Sequence, residues 1–411
     1  MKEITTKYLN YIIYWAILFI PFSMSIAIAP MNVFSGLMIA AFLVKKILKR
    51  EQIFLKNALA APLFLFFLAT CLSVFNSVAL KDSFRGGVLR LLQYILVFFI
   101  IVEEVKDIRQ VRRIMFSAIA GLILASLDGI WQVSTGADFI RGYLPMLSLG
   151  FARATASFKD PNTSGVYLSA VAPLLFGLTL YYTKGVKRLA FIALSLIALM
   201  GIALTYSRPT LLATFVVLLF LASVKKDKVL LTLLLIFTLI SPFILPKPVK
   251  DWAKQVNYNP ARFMCNDDRI AIYRNSLYMI KAHPVIGVGA NTFMKNYKKY
   301  ERLPNYRNVV TSDFLYAHNN FLHMAGEIGL VGLGIFVWML FVFFKQSANI
   351  YRRLEDRYLK VVSLSLIVSA IAFLVNGLTE SSLYSARVAM IFWYIMGFSF
   401  SLYKFTDAKK E

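Results

Sequence analysis

The chain has 411 residues, of which 59% are hydrophobic and 15% aromatic, and its mean hydropathy is +0.65. Apolar runs repeatedly reach the roughly 20 residues that a helix needs to cross a bilayer, so the sequence predicts an all-α polytopic membrane protein. The net charge of +24 comes from basic residues scattered through short linkers, which excludes a single nucleic-acid-binding face and favours anionic lipids as partners. Cys71 in an apolar run and Cys265 in a polar one predict no disulfide.

Hydropathy predicts about twelve membrane-spanning helices. The first follows Lys2 and Lys7 and could be taken for a secretion signal, but no small-residue cleavage site follows, so we interpret it as an uncleaved span. The predicted spans cover residues 9–29, 31–48, 58–78, 88–102, 114–134, 163–182, 189–206, 209–223, 229–246, 319–344, 361–378 and 387–403.

The linkers between the spans predict their orientation. Short basic linkers and both termini fall on one side, which the positive-inside rule makes cytoplasmic. The other side carries residues 79–87, 135–162, 247–318 and 379–386. The chain thus divides into spans 1–9 (residues 1–246), a large outer loop with amphipathic helices (247–318), and spans 10–12 with a short cytoplasmic tail (319–411).

Arg208 stands at the start of the eighth predicted span, in Tyr206-Ser207-Arg208-Pro209. Ser207 or Arg208 near the cap and Pro209 at the first helical position are typical of a helix start. The positive end of the helix dipole then lies beside a guanidinium that can bind two phosphate oxygens, which favours a diphosphate site. The alternative is an arginine that reaches the lipid headgroups.

A second arginine, Arg269, begins a predicted amphipathic helix in the large loop. The preceding Asn266-Asp267-Asp268 favours helix capping over a metal site. The helix can lie along the membrane surface and direct Arg269 toward an outer cavity, with Arg274 as a second candidate. The residues from His283 to Gly289 follow this helix and are predicted to form a turn, in which His283 has a structural role.

His318 lies where the large loop meets the tenth predicted span. His323 is five residues on, so the two imidazoles project about 140 degrees apart on a helix, which argues against a shared metal. Glu327 is then a packing or hydrogen-bonding partner of His323. An imidazole that titrates near pH ~6.5 can accept a proton from a hydroxyl, which makes His318 the candidate general base. Capping is the alternative role for His318, but Asn319 and Asn320 are better cap candidates.

The motifs His318 to Leu322 and Glu327 to Gly332 resemble those of the bacterial O-antigen ligase and polymerase superfamily. Further segments that look like its patterns are Tyr206 to Arg208, Phe158 to Asn162, Arg269, and Pro284 to Gly289. The resemblance covers roughly residues 150–340 by motif and the whole chain by topology. The sequence departs from the commonest pattern at Tyr273, where tryptophan is usual, and at Pro209.

The resemblance implies a GT-C-like fold in the bacterial inner membrane, with the large loop and the active site facing the periplasm. It implies a metal-independent inverting glycosyltransferase, without a cofactor, that moves a glycan from undecaprenyl diphosphate to a sugar hydroxyl of lipid A-core. Arg208 and Arg269 would bind the diphosphate, and His318 would activate the acceptor hydroxyl. Additional candidate substrate contacts are Arg153, Tyr273, Arg274 and Asn319.

The sequence leaves other activities open. A polysaccharide polymerase uses the same kind of donor but a second lipid-linked glycan as acceptor. A protein O-oligosaccharyltransferase usually carries more residues after the last span than Lys404 to Glu411. A transporter of lipid-linked glycans would place charges deep within several spans. We rank the ligase first and the polymerase second.

Overall fold

The computed structural model describes residues 2–52, 57–148, 150–244, 247–259, 262, 265, 267–302 and 316–406. Over these residues the chain is almost entirely helical, which confirms the predicted all-α class. The strands described form one small antiparallel pair, β1 (Met146–Ser148) and β2 (Phe151–Arg153), with Leu147 opposite Ala152.

The described chain before residue 247 contains a series of apolar helices. They are α1 (Lys2–Ile26), α2 (Ile28–Lys49), α3 (Ala60–Ser73), α4 (Leu80–Glu104), α5 (Ile108–Thr135), α6 (Pro161–Tyr181), α7 (Gly185–Leu204), α8 (Arg208–Lys225) and α9 (Lys228–Ile244). Shorter helices of the polar segment follow, and then the last apolar helices. They are α10 (Lys247–Gln255), α11 (Asp267–Ala282), α12 (Phe293–Tyr300), α13 (Asn320–Arg353), α14 (Arg357–Gly377) and α15 (Ala386–Ser401).

Each predicted span corresponds to one of the apolar helices, but two of the twelve are short. In the described part of the chain, ten helices are long and apolar enough to cross a membrane, whereas α3 and α9 fall below that length. Helix α3 ends at Ser73 in a 3-10 turn, Val74–Asn76, which shortens it. The structure therefore supports a multi-pass membrane protein with about ten full-length spans.

The centre of the bundle consists of α6, α14 and α15. Most side chains of these three helices are buried, whereas α7 and α9 expose many of their leucines and isoleucines. Exposed aliphatic side chains on helices of this length are what a lipid environment requires. The predicted absence of a disulfide is confirmed for both cysteines, which are free.

Charged side chains hold the helices together at one end of the bundle. Lys45 at the end of α2 pairs with Glu104 at the end of α4 at 2.6 Å, and both are buried. Lys404 donates a hydrogen bond to the carbonyl oxygen of Glu103 at 2.6 Å. We call this the linker end, because it carries the short basic linkers, and the opposite one the loop end, because it carries the segment 247–318.

Helix α13 is broken at Gly329, whose φ is +74°. The turn between α11 and α12 packs into this break: the Val288 and Gly289 amides donate to the carbonyls of Gly326 and Glu327, at 2.9 Å each. Gly287 has a φ of +69°, a left-handed value that glycine adopts without strain. The break frees carbonyl groups inside an apolar helix, and the turn satisfies them.

Replacement of Gly287 by alanine should destabilise the protein by about 2 kcal/mol or more, because a Cβ there would lie 2.3 Å from the Glu327 carbonyl carbon and would strain a left-handed residue. The measurement is the thermal unfolding midpoint of the purified protein in detergent. Gly334→Ala is the matched control, since a Cβ at Gly334 meets no atom within 4 Å. Equal midpoints for the two variants would contradict the close-packing assignment.

Candidate functional site

Three arginines, a histidine and a glutamate meet at the loop end of the bundle. We call them the arginine cluster: Arg153 from β2, Arg208 from α8, Arg269 from α11, His318 before α13, and Glu380 between α14 and α15. Segments that are far apart in sequence thus contribute one side chain each. The cluster contains all three residues that the sequence predicts as catalytic or diphosphate-binding.

Glu380 connects two of the predicted site residues. Its Oε1 accepts a hydrogen bond from Arg269 Nη2 at 2.5 Å, and its Oε2 lies 3.4 Å from His318 Nδ1. Arg269 Nη1 also donates to the carbonyl oxygen of Thr379 at 2.9 Å. The side chains of Arg269 and Glu380 are 13% and 11% exposed, whereas His318 is 34% exposed. The imidazole is therefore the accessible member of this group.

The backbone at His318 is fixed from both sides. His318 has a left-handed φ of +47°, and the Tyr273 hydroxyl donates to its carbonyl oxygen at 2.9 Å. Asn319 then caps α13 as predicted, since its Oδ1 accepts from the Phe321 and Leu322 amides at 2.9 and 3.0 Å. The imidazole is consequently not needed for capping, and its direction is set by neighbouring groups.

Arg208 is the first residue of α8, and Pro209 is the second, one position later than the sequence predicts. Ser207 is the N-cap; the Thr210 hydroxyl donates to Asn376 Oδ1 at 3.2 Å and can accept from the Ser207 hydroxyl, whose Oγ is 3.0 Å away. These buried contacts fix the helix start against α14. The electrostatic neighbours of Arg208 include other members of the cluster, namely Arg153, Arg269 and Glu380.

Arg153 reaches the cluster from the small β-hairpin. Its Nε donates to the carbonyl oxygen of Thr205 at 2.9 Å, and its Nη2 donates to Asn162 Oδ1 at 2.9 Å. The strand β2 is thereby held against the connection between α7 and α8. Asp160, the N-cap of α6, lies within electrostatic reach of Arg153 and Glu380.

The charges in the cluster influence one another. Burial opposes ionisation of Glu380, but the adjacent Arg269 and His318 outweigh it, and the pKa of Glu380 lies below its ordinary value. Burial and the nearby Glu380 carboxylate raise the pKa of Asp160. Among the residues that the structure describes, the three guanidinium groups thus lie near the carboxylates of Asp160 and Glu380.

Other predicted residues are placed more simply. Arg274 is exposed and lies about 140 degrees around α11 from Arg269, and the structure describes no contact between it and the cluster. The predicted cap at Asn266 lies outside the described residues. His323 Nε2 lies 3.3 Å from Glu327 Oε1, which confirms their predicted pairing, and His283 contacts the Tyr300 hydroxyl at 2.8 Å, in agreement with a structural role.

Glu380 is the residue that the sequence analysis missed. It lies in the short outer loop 379–386, between two apolar spans. A carboxylate in such a position is costly unless it has a partner. That signal was available, but the sequence gives no indication that Arg269, more than one hundred residues earlier, is the partner. In the part of the chain that the structure describes, no group of three histidine, cysteine or acidic side chains could hold a metal ion.

The fold and the cluster define a multi-pass all-α membrane protein with arginines, a histidine and a glutamate brought together at one end. Residues 193–337 match the family model described as O-Antigen ligase, and this region contains Arg208, Arg269 and His318. This match covers about a third of the chain and supports membership of the O-antigen ligase and polymerase superfamily. No curated protein matches the chain.

Replacement of Glu380 by glutamine should lower the stability by roughly 3 kcal/mol at neutral pH, because it leaves the buried Arg269 without its anionic partner. The pKa of Glu380 is depressed in the folded protein, so its contribution is complete above its ordinary value of about 4.3 and is lost as the pH falls through the lower folded value. The measurement is the difference in unfolding midpoint between wild type and variant from pH 7 to pH 3.

The exposed Glu301 provides the control, since Glu301→Gln should leave the midpoint nearly unchanged over the same range. A wild-type advantage over Glu380→Gln that persists undiminished at pH 3 would show that ionisation of Glu380 is not its source.

Proposed function

We propose that the protein is an O-antigen ligase that transfers a glycan from undecaprenyl diphosphate to a sugar hydroxyl of lipid A-core. The observation that carries this proposal is the arginine cluster, in which Glu380 contacts Arg269 and His318 and lies within electrostatic range of Arg153 and Arg208. Anion binding and proton acceptance are the two functions that such a transfer needs. The family match supports the coarser assignment to glycan ligases and polymerases.

Arg208 and Arg269 are proposed to bind the diphosphate of the donor. A guanidinium can donate two parallel hydrogen bonds to phosphate oxygens, and the start of α8 adds the positive end of the helix dipole. Negative charge on the diphosphate grows as its bond to the sugar breaks. Cations that are already fixed in place stabilise that charge most in the transition state.

His318 is proposed to act as the general base. With Nδ1 directed at Glu380 and donating its proton to the carboxylate, the lone pair on Nε2 is free to accept the proton of the acceptor hydroxyl. The hydroxyl oxygen then forms a bond with the anomeric carbon, and the bond from that carbon to the diphosphate oxygen breaks. Attack opposite the leaving group inverts the anomeric centre.

Glu380 is proposed to position His318 and to stabilise the imidazolium that forms. It also holds Arg269, so the base and one diphosphate ligand share a single carboxylate. Asn319 and Tyr273 fix the backbone on which the base stands. Arg153 is proposed as a third contact to the donor phosphates.

The loop end is proposed to face the periplasm of a bacterial inner membrane. The basic linkers lie at the other end, and the positive-inside rule assigns such linkers to the cytoplasm. The donor energy resides in the polyprenyl diphosphate itself, so the proposed reaction uses neither a nucleotide nor a metal ion.

His318→Ala should abolish transfer while leaving donor binding within about twofold, because the base acts on the acceptor and not on the diphosphate. His283→Gln is the matched control and should retain transfer, since His283 contacts Tyr300 away from the cluster. The assay uses purified protein, lipid-linked glycan and lipid A-core in the presence of EDTA. Normal transfer by His318→Ala would overturn the general-base assignment.

Arg208→Lys and Arg269→Lys should each reduce kcat/KM by roughly 100-fold or more and weaken donor binding, because a point charge cannot replace a bidentate contact. Arg188→Lys, an exposed conservative change at the linker end, should have no effect. Donor binding and turnover are measured separately for each variant. Unimpaired binding in both cluster variants would argue against their role as diphosphate ligands.

The same assay separates the ligase from the polymerase, its runner-up. Product on lipid A-core supports the ligase. Longer polyprenyl-linked glycans in the absence of such a product would make the protein a polymerase, which uses the same donor chemistry with another acceptor.

A further inference from the structure

A second cavity lies at the loop end, separate from the arginine cluster. It has a volume of about 220 Å³ and lies between α3, α4, α13 and α15. The exposed residues Arg90 and Asn291 mark its mouth, and its buried lining is mainly apolar and aromatic but includes Glu327. A dry apolar cavity of roughly 150 Å³ already accommodates benzene, so this one can hold a segment of a lipid chain. The interior residues are Phe66, Leu91, Met324, Ile328, Phe336 and Trp393.

Arg90 is the cation at the mouth of this cavity. It is exposed, although it lies within the apolar helix α4, about two turns below Asp82, which pairs with Lys295 at the loop end. Among the described residues no carboxylate lies within ion-pair distance of Arg90, and its electrostatic neighbours are the hydroxyls of Tyr94 and Tyr316. An arginine at this depth is costly without an anionic partner.

Glu327 lines the same cavity but is engaged elsewhere. Its two carboxylate oxygens accept from the amides of Asn291 and Phe293 at 2.8 and 2.9 Å, and His323 Nε2 lies 3.3 Å from one of them. Its charge is thus used to hold the turn before α12. Arg90 therefore lines the cavity without an ion pair to Glu327 among the described contacts.

The backbone before Arg90 is shaped for close contact at this mouth. Residues Ser83–Leu89 form a π-helical turn, an arrangement that occurs frequently at functional sites. A Cβ at Gly87 would lie 2.6 Å from the Ala290 Cβ, so glycine lets α4 approach the turn that closes the cavity. The π-helical turn and the close packing together determine the position of Arg90 at the cavity.

We infer that this cavity binds the phosphorylated end of a membrane lipid, with the phosphate at Arg90 and the first part of a chain against the aromatic interior. A free phosphate would leave that interior uncovered, and an uncharged lipid would leave the arginine without an anion. A bulk phospholipid and a phosphorylated glycolipid both combine a phosphate with an apolar chain, so either could be this lipid.

The cavity contacts the segment that carries Glu380. Tyr384 lines it and stacks on the His323 ring at 3.5 Å between centroids, and the 3-10 turn Ser382–Tyr384 follows Glu380 by one residue. A lipid in the cavity therefore touches the same short loop as the arginine cluster. Its binding does not depend on the proposed transfer reaction.

The test is binding of phosphatidylglycerol to the purified full chain, measured by native mass spectrometry, with phosphatidylcholine as the zwitterionic reference. Arg90→Gln should weaken binding about tenfold or more, as expected for one lost charge-assisted contact. Arg85→Gln, an exposed cation on the same helix that does not line the cavity, is the control and should leave binding unchanged. Equal losses in both variants, or none in either, would overturn the inference.

A second measurement does not depend on a substitution. A phosphatidylglycerol with a photoreactive group on its chain should label the cavity interior, at Met324 or Phe336. Competition with lipid A or with polyprenyl diphosphate then identifies which phosphorylated lipid the cavity prefers. Labelling confined to the outer surface of the bundle would contradict the site. Since binding is read without transfer, a failure here is distinguishable from a failure of the proposed ligase activity.

Discussion

The buried carboxylate of Glu380 is the group on which the arrangement of the site depends. Taken out of water, a carboxylate is stable only with charged or hydrogen-bonding partners, and here Arg269 supplies the strongest one. This pair joins a helix of the polar segment to the connection between the last two apolar helices. Because the second carboxylate oxygen is directed at His318, the same contact that anchors α11 also orients the imidazole.

The loop end is built by satisfying backbone groups that the apolar helices leave open. The break at Gly329 interrupts α13, and the turn after α11 supplies the amide donors for the freed carbonyls. The side chain of Glu327, in α13, also accepts hydrogen bonds from the Asn291 and Phe293 amides of the polar segment. The polar segment is thus attached to the membrane helices through main-chain contacts, which hold the arginines of separate elements close together without a larger folded domain.

The sequence predicts the spans, the helix starts close to Arg208 and Arg269, and the cap at Asn319, because these depend on local patterns of apolar and capping residues. It does not predict the pairing of Arg269 with Glu380, which requires knowledge of how distant helices pack. The length of α3 also escapes it, since the apolar run continues through the 3-10 turn Val74–Asn76 that ends the helix. The cavity at Arg90 is likewise a product of packing, and no motif marks it.

The contacts at the linker end have a consequence for motion. Lys45 and Glu104 are buried together, Lys46 pairs with Glu103, and Lys404 ties the end of the chain to the same place. Separating any of these charges would expose it to an apolar surrounding, so the helices are pinned there. Because breaking these contacts costs free energy, a relative movement of the helices is expected to be easier at the loop end than at the linker end.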